Sequence, residues 1–206
     1  NFREDFLNVD ILEYSAPDIT VDLNLPFPNG DRQTFQTTRF GTIQITKNTF
    51  KKILAHDVLE HIPNLTVMMK SCLDLPEIGG ELDILVPYDL SYGAWQDPTH
   101  VHAFNEKSWL YYTEWFWYLE WTEARFDLEE LRFEPSAFGK ELLKTGLSQE
   151  EILRTPRAVD SMLVKLRKVL LNEKDRLTLQ EVTHRRRPLP VSSTVKFAVA
   201  IVSPPN

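Results

Sequence analysis

The chain has 206 residues, of which 42% are hydrophobic and 26% are charged, and this composition is typical of a folded globular protein. Its formal net charge is -7 at pH 7, with 23 Lys and Arg against 30 Asp and Glu. An acidic surface disfavours non-specific binding to nucleic acid, so we expect no nucleic-acid partner. The length suits a single domain, which we expect to span residues 1–206.

The single cysteine and the hydropathy of the sequence narrow the class of protein further. Cys72 is the single cysteine, which excludes an intrachain disulfide, and its apolar neighbours predict a buried thiol. No apolar stretch approaches the roughly 20 residues that a membrane-spanning helix needs. We therefore expect a cytoplasmic protein with no membrane partner.

The N-terminal part of the chain predicts short strands separated by turns. Residues 6–12 and 18–23 are apolar runs typical of strands. Residues 25–31 contain two prolines and an Asn-Gly step, which predicts a loop. Residues 36–46 are rich in Thr and Ile, which favours a further extended segment, and residues 50–55 predict a buried strand.

The middle of the chain predicts a helix between two strands. Asn64 precedes apolar residues at helical spacing, and Pro76 ends that pattern. Residues 81–87 then predict a strong strand. A strand, a helix and a strand within about 35 residues favour a right-handed crossover and parallel pairing. Residues 89–105 are polar and irregular, and we expect them to form a loop at the carboxyl edge of the sheet.

The C-terminal part predicts one strand, a helical insertion and a last strand. Residues 123–133 alternate partly and favour a strand. Residues 139–154 and 157–172 predict two helices, which together form an insertion at 139–172, and Ser148 with Glu151 predicts a capping box within it. Residues 194–202 predict a final strand.

Several short strings stand in an order that one enzyme family shares. They are Asn8-Val9-Asp10, Asp22-Leu23-Asn24 with Pro26-Phe27-Pro28, His56-Asp57-Val58-Leu59-Glu60-His61-Ile62, Gly79-Gly80-Glu81-Leu82 and the segment 97–104. Over roughly residues 5–135 the chain resembles a class I S-adenosylmethionine-dependent methyltransferase of the type 11-like group. The resemblance implies an α/β fold with a Rossmann-like, doubly wound, mixed seven-stranded sheet. This sheet would lack part of its N-terminal strand and turn, and the helical insertion would precede its last strand.

The resemblance also implies S-adenosylmethionine as the cofactor. The cofactor-binding positions of the family fall on Asp10, Ile11, Asp22, Leu23, His56 and Asp57. Asp10 would hold the ribose hydroxyls, because a carboxylate accepts two hydrogen bonds from a cis-diol. Asp22 would meet the adenine amino group, with the Leu23 backbone N–H near a ring nitrogen.

The Gly-rich turn of this family has no counterpart in the sequence. The seven glycines stand at positions 30, 41, 79, 80, 93, 139 and 146, so none precedes Asp10. We expect the given sequence to begin after that turn. A segment that is present but unseen, and a degraded relative that has lost the turn, are the alternatives.

Methyl transfer by in-line displacement depends chiefly on aligning donor and acceptor, and a hydroxyl acceptor gains further from a general base. His100 and His102, with Asp97, are the candidate catalytic residues, since they lie in the loop after the strand at 81–87. An unperturbed histidine titrates near ~6.5, which makes it a usable base. The alternative is a structural role, in which both imidazoles only bind backbone groups of the loop.

A metal site is the competing interpretation of the histidines. His56, His61, His100 and His102 fall within one span, and Glu60 and Asp97 could add oxygen ligands for zinc. However, His56 and His61 are five residues apart, which is a poor spacing for one helix face. We therefore predict no metal site, and a metal-dependent hydrolase is the least favoured function.

Residues 109–121 hold four of the five tryptophans. This aromatic segment could line a pocket for an apolar or sugar acceptor, form a homodimer face, or be buried in the core. Methyl transfer to a small-molecule or glycan-like acceptor is thus the first functional hypothesis. A non-catalytic methyltransferase-like binding module is the second.

Overall fold

The computed structural model describes residues 3–186. The chain divides after Leu171 into two units, and each is described by itself. The described part of the second unit is one helix. All other elements belong to the first unit.

The described residues contain eight strands and six α-helices. The strands are β1 (Val9–Asp10), β2 (Ile19–Thr20), β3 (Arg32–Thr37), β4 (Gly41–Thr46), β5 (Phe50–His56), β6 (Pro76–Pro87), β7 (Ala124–Pro135) and β8 (Val159–Leu170). The helices are α1 (Leu65–Asp74), α2 (Gly93–Gln96), α3 (Leu110–Thr113), α4 (Ala137–Lys144), α5 (Gln149–Leu153) and α6 (Glu173–Arg186). Three short 3₁₀ helices span Glu13–Ser15, Leu59–His61 and Phe116–Leu119.

A mixed sheet in the order β5-β6-β8-β7 forms the centre of the first unit. β5 and β6 are parallel, with Ile53 opposite Leu82, and α1 connects them. The predicted strand–helix–strand unit with parallel pairing is therefore confirmed. β8 lies between β6 and β7 and is antiparallel to both.

The N-terminal strands form two smaller sheets rather than an extension of the central one. β1 pairs in parallel with β2, and β3 pairs with β4 in an antiparallel hairpin. A mixed sheet accompanied by helices is confirmed, but the seven-stranded sheet is not. Among residues 3–186 the largest sheet has four strands.

The predicted helix at 157–172 is wrong, because residues 159–170 form β8. Apolar residues at 162, 163, 166, 169 and 170 satisfy helical spacing, yet burial alternates along the segment. The buried positions are Val159, followed by the alternating Met162, Val164, Leu166 and Lys168. The helical part of the 139–172 insertion is thus confined to α4 and α5. The predicted strand at 194–202 lies outside the described residues.

The two faces of the central sheet differ in polarity. Leu82, Ile84 and Val86 of β6 alternate inward and are fully buried. The opposite face carries cross-strand ion pairs, in which Lys52 Nζ lies 3.0 Å from Asp83 and Arg167 Nη2 lies 3.0 Å from Glu81. This alternation leaves one apolar face for the core and one charged face.

Local signals position the helices that flank the sheet. Asn64 occupies the N-cap position of α1, and the buried residues of this helix include Met69 and Cys72. The capping box of α5 is confirmed, since Ser148 N–H donates to Glu151 Oε2 at 2.8 Å and Glu151 N–H donates to Ser148 Oγ. Across residues 3–186, no helix combines the length and the apolar composition that crossing a bilayer requires.

Candidate functional site

A cavity of about 350 Å³ lies beside β5. Its walls come from residues 6–10, from residues 52–58 and from the face of α1 that carries Met68 and Cys72. The volume falls within the range of about 300–1,000 Å³ that is usual for small-molecule sites. The cavity is therefore large enough for a ligand of cofactor class.

The free edge of β5 faces this cavity. Consecutive residues 52–56 all contribute to the lining, although side chains along a strand alternate between its faces. Within the described residues, β5 is paired only on the side of β6. In residues 3–186, no strand pairs with the other edge of β5, which is the edge beside the cavity.

Four of the six predicted cofactor-binding residues line the cavity: Asp10, Leu23, His56 and Asp57. Asp10 is the last residue of β1, and its Oδ1 accepts a hydrogen bond from Leu12 N–H at 2.9 Å, which fixes the carboxylate. Asp57 has a positive φ of 54° just beyond the end of β5. Asp10 and Asp57 therefore lie at the carboxyl ends of β1 and β5, which belong to two different sheets.

Asp22 and Ile11, the other two predicted residues, are not among the lining residues. Asp22 Oδ1 accepts from the backbone N–H of Asn24 at 2.9 Å and from its Nδ2 at 2.8 Å, so a local turn uses this carboxylate. Ile11 is 55% exposed. Their assignment to the cofactor stays a prediction.

His56 is held by the charged face of the sheet. Its Nε2 lies 3.0 Å from Asp83 Oδ1. Burial opposes ionisation of Asp83, yet the hydrogen bonds from His56 and Lys52 hold the pKa of this carboxyl below its ordinary value. The imidazole is thus fixed at the cavity wall by a carboxylate.

A second group of polar residues lies just beyond β5, where the 3₁₀ helix Leu59–His61 meets the loop at 97–105. The backbone N–H groups of Val101 and His102 donate to the carbonyl oxygen of Glu60 at 2.8 and 3.3 Å. This contact places the imidazoles of His61 and His100 together, with ring centroids 4.5 Å apart and planes at 76°.

Hydrogen bonds to backbone carbonyls select the tautomers of the two predicted base residues. His100 Nδ1 lies 3.2 Å from Ala94 O, and His102 Nε2 lies 3.0 Å from Ile62 O. A carbonyl only accepts, so the proton sits on the nitrogen that faces it. The lone pairs are left on Nε2 of His100 and on Nδ1 of His102, and each could accept a proton.

Asp97 acts on this group through Thr99. The hydroxyl and the backbone N–H of Thr99 donate to Asp97 Oδ1 at 2.7 and 2.8 Å, and these bonds lower the pKa of Asp97. Since the Thr99 hydroxyl proton points to Asp97, its oxygen accepts from His61 Nδ1 at 2.9 Å. Asp97, His100 and His102 are not among the residues that line the cavity.

Glu60 is the residue whose importance the sequence did not reveal. It is only 1% exposed, and neither carboxylate oxygen has a hydrogen-bond partner in the described part of the chain. Burial raises the pKa of this carboxyl. The sequence indicated Glu60 only as one of several possible oxygen ligands, because nothing in the local pattern predicts that it is buried.

The aromatic segment 109–121 is divided between core and surface. Its buried rings are those of Trp109, Tyr112, Phe116 and Trp121. Tyr111, Trp115 and Tyr118 are 40–56% exposed, and the Tyr111 ring contacts the other two edge to face. Burial thus explains part of the segment, while the acceptor and homodimer hypotheses apply to the exposed rings.

No family model matches the chain, and no curated protein matches it. A SAM dependent methyltransferase from Archaeoglobus fulgidus is 14% identical, with 77% of this chain and 74% of that chain covered and a TM-score of 0.46. A provisionally named methyltransferase from Bacillus halodurans C-125 is 17% identical, with coverage of 59% and 65% and a TM-score of 0.38. The (4+2)-cyclase SpnF is 15% identical, with coverage of 61% and 53% and a TM-score of 0.38.

The solved structures that this chain resembles thus include methyltransferases. The chain spans 65% and 53% of the lengths of the Bacillus halodurans protein and SpnF. Because the identities are below 25% and the TM-scores below 0.5, these similarities do not establish an activity for the chain.

Proposed function

We propose that the chain binds S-adenosylmethionine in the cavity beside β5 and transfers its methyl group to an oxygen of a small-molecule or glycan-like acceptor. One observation carries the proposal. The cavity lining runs along β5 to Asp57, just beyond its carboxyl end, and includes Asp10, the last residue of β1. Ligands of open α/β sheets bind in the crevice outside the carboxyl ends of the strands.

The lining suits the nucleoside half of this cofactor. An adenosine combines a flat apolar base with a ribose cis-diol, and the cavity combines apolar walls with a fixed carboxylate. Asp10 would hold the diol, and Leu23 would contact the base. When bound, the cofactor supplies an activated methyl group on a sulfonium centre. The protein then has to align the methyl donor with the acceptor and to exclude water from the site.

His100 and His102 are proposed to deprotonate the acceptor hydroxyl. Each has one ring nitrogen bound to a carbonyl and the other free to accept a proton. Asp97 orients the neighbouring His61 through Thr99 rather than acting on the acceptor itself. A positioned general base contributes about 10²–10⁴-fold to such a step.

The exposed aromatic rings support a sugar-like acceptor. Tyr111, Trp115 and Tyr118 form a cluster whose flat apolar faces could stack on a sugar ring. Trp115→Ala should then raise KM for the acceptor without changing affinity for the cofactor. If the variant instead changes the sedimentation coefficient of the protein, the cluster serves as a homodimer face.

Isothermal titration calorimetry with S-adenosylhomocysteine tests the cofactor site. Asp10→Ala should weaken binding by about 1–3 kcal/mol, because hydrogen bonds to a buried ligand are lost. Asp31→Ala is the matched control, since that side chain is 96% exposed and lies outside the lining. Absence of binding at millimolar ligand would overturn the proposal. Binding without transfer to any acceptor would favour the non-catalytic module.

A further inference from the structure

Three potential ligand groups converge just beyond the end of β5. Glu60, His61 and His100 each offer one ligand atom, and these atoms lie within 4.8 Å of one another. Two of the residues belong to the 3₁₀ helix that follows β5, and the third belongs to the loop docked on it. Two imidazoles and a carboxylate are the donor set of many zinc and non-haem iron sites.

The Glu60 carboxylate gives independent support for a cationic ligand. It is 99% withdrawn from solvent, and neither oxygen has a hydrogen-bond partner among residues 3–186. Burying a carboxylate without a partner is unfavourable, so such groups in native proteins are protonated, paired with a cation or bound to a metal. The two imidazoles beside it offer ring nitrogens as ligands, and a metal ion between the three groups would balance the charge of the carboxylate.

The surrounding hydrogen bonds prepare both histidines as ligands. His61 Nδ1 donates to Thr99 Oγ1, which is itself bound to Asp97, and His100 Nδ1 donates to Ala94 O. Metal-bound histidines usually donate their second ring N–H to a carbonyl or carboxylate in this way. Each imidazole is thus held with Nε2 available as a ligand.

We propose that Glu60, His61 and His100 bind one divalent transition-metal ion of the zinc class. Ligand atoms around tetrahedral zinc lie about 3.4 Å apart, given bond lengths near 2.0–2.2 Å. Atoms that lie within 4.8 Å of one another must therefore move closer by at most about 1.4 Å. Three protein ligands leave a coordination position for water or a substrate oxygen. The inference does not depend on the identity of the methyl donor. A metal on Nε2 of His100 would occupy the lone pair of that imidazole, so His102 would then be the base of the proposed methyl transfer.

Metal binding by the purified full chain tests this inference directly. After dialysis against a chelator, calorimetry with Zn²⁺ and with Mn²⁺ should show one site per chain, and bound zinc should survive gel filtration. Glu60→Gln, His61→Ala and His100→Ala should each weaken zinc binding at least tenfold. His102→Ala is the matched control, because this neighbouring imidazole is bound to Ile62 O and should leave the affinity unchanged.

Two further readouts keep the test decisive if a variant folds poorly. Co²⁺ added to the unmodified chain should give the visible absorption of a tetrahedral site, and zinc should raise its Tm but not that of Glu60→Gln. No zinc binding by the unmodified chain, or equal binding by Glu60→Gln, would overturn the inference. Calorimetry with S-adenosylhomocysteine in the presence of chelator reports on the cofactor site separately.

Discussion

Arg39 holds Asp18 with two nitrogens, since its Nε lies 2.7 Å from Oδ1 and its Nη2 lies 2.7 Å from Oδ2. The same guanidinium donates to the backbone oxygens of Glu4 and Phe6. Asp18 also accepts from the backbone N–H of Asn8 at 2.7 Å. The pair therefore ties the N-terminal segment to the start of β2, and this segment forms one wall of the cavity.

Removing this carboxylate should loosen that wall. The Asp18 side chain is fully buried, so Asp18→Asn leaves Arg39 with a poorer acceptor and should cost about 1–3 kcal/mol of unfolding free energy. Urea denaturation at pH 7 measures the change. Asp31→Asn should be neutral within about 0.5 kcal/mol, as exposed substitutions usually are. A neutral Asp18→Asn would show that the pair contributes nothing.

The same pair should make stability depend on acid pH. The hydrogen bonds from the Arg39 guanidinium are the main reason that the pKa of Asp18 lies well below its usual range. Burial opposes this effect, and hydrogen bonds from Asn8 and Thr38 add to it. When folding lowers the pKa of a carboxyl, the ionised group stabilises the folded state at pH values above its unfolded-state pKa, near ~3.9. This contribution disappears as the pH falls through the folded-state pKa. Urea midpoints measured from pH 5 down to pH 2 should fall less steeply for Asp18→Asn than for the unmodified chain.

Gly139 should tolerate no side chain. A Cβ at this position would lie 1.8 Å from the carbonyl oxygen of Ala158, where α4 crosses the start of β8. Gly139→Ala should therefore reduce the unfolding free energy by about 3 kcal/mol, the upper part of the usual range for overpacking. Thermal unfolding followed by circular dichroism checks this. Lys140→Ala, one residue along the helix and exposed, should leave Tm nearly unchanged.

The sequence predicted local units better than it predicted distant pairing. Residues 50–55 and the helix after Asn64 were predicted correctly because spacing, a turn and a proline all agree within a few residues. β8 was missed because its apolar residues also suit a helix. Its choice of strand depends on β6 and β7, which pair with it on both sides and come from distant parts of the chain.

Cys72 should be chemically inert in the folded protein. The thiol is 2% exposed, and burial raises its pKa to about 12. Since the thiolate is the reactive form, alkylation by iodoacetamide at pH 8 should be at least about a hundredfold slower in buffer than in urea. Mass spectrometry of timed samples gives both rates. Equal rates would mean that the Cys72 thiol is accessible to the reagent in the folded protein.

A histidine base should be visible in the rate of methyl transfer. His102→Ala should lower kcat by about 10²–10⁴-fold, because the acceptor hydroxyl loses its proton acceptor. KM for the cofactor should not change, because His102 is not part of the cavity lining. Full turnover at neutral pH by both His100→Ala and His102→Ala would exclude a histidine base.

The candidate site shows a similar limit of sequence reasoning. Asp10 ends β1 and Asp57 follows β5, and both line the cavity although these strands belong to different sheets. Their role in cofactor binding stays a prediction. The meeting of His61 with His100 depends on how a loop docks on the backbone of Glu60, which residue spacing does not encode. Helical spacing relates His61 only to nearby residues such as His56. In the structure, the ring of His61 instead contacts that of His100, which is distant in sequence.

The main-chain anchor of that loop has a practical consequence. Val101 and His102 are held by the carbonyl oxygen of Glu60, an atom that every amino acid possesses. A substitution of the Glu60 side chain therefore changes the functional group beside His61 and His100, while the backbone oxygen that holds the loop is retained. Ancestral or engineered variants could gain or lose reactivity there without first having to rebuild the scaffold.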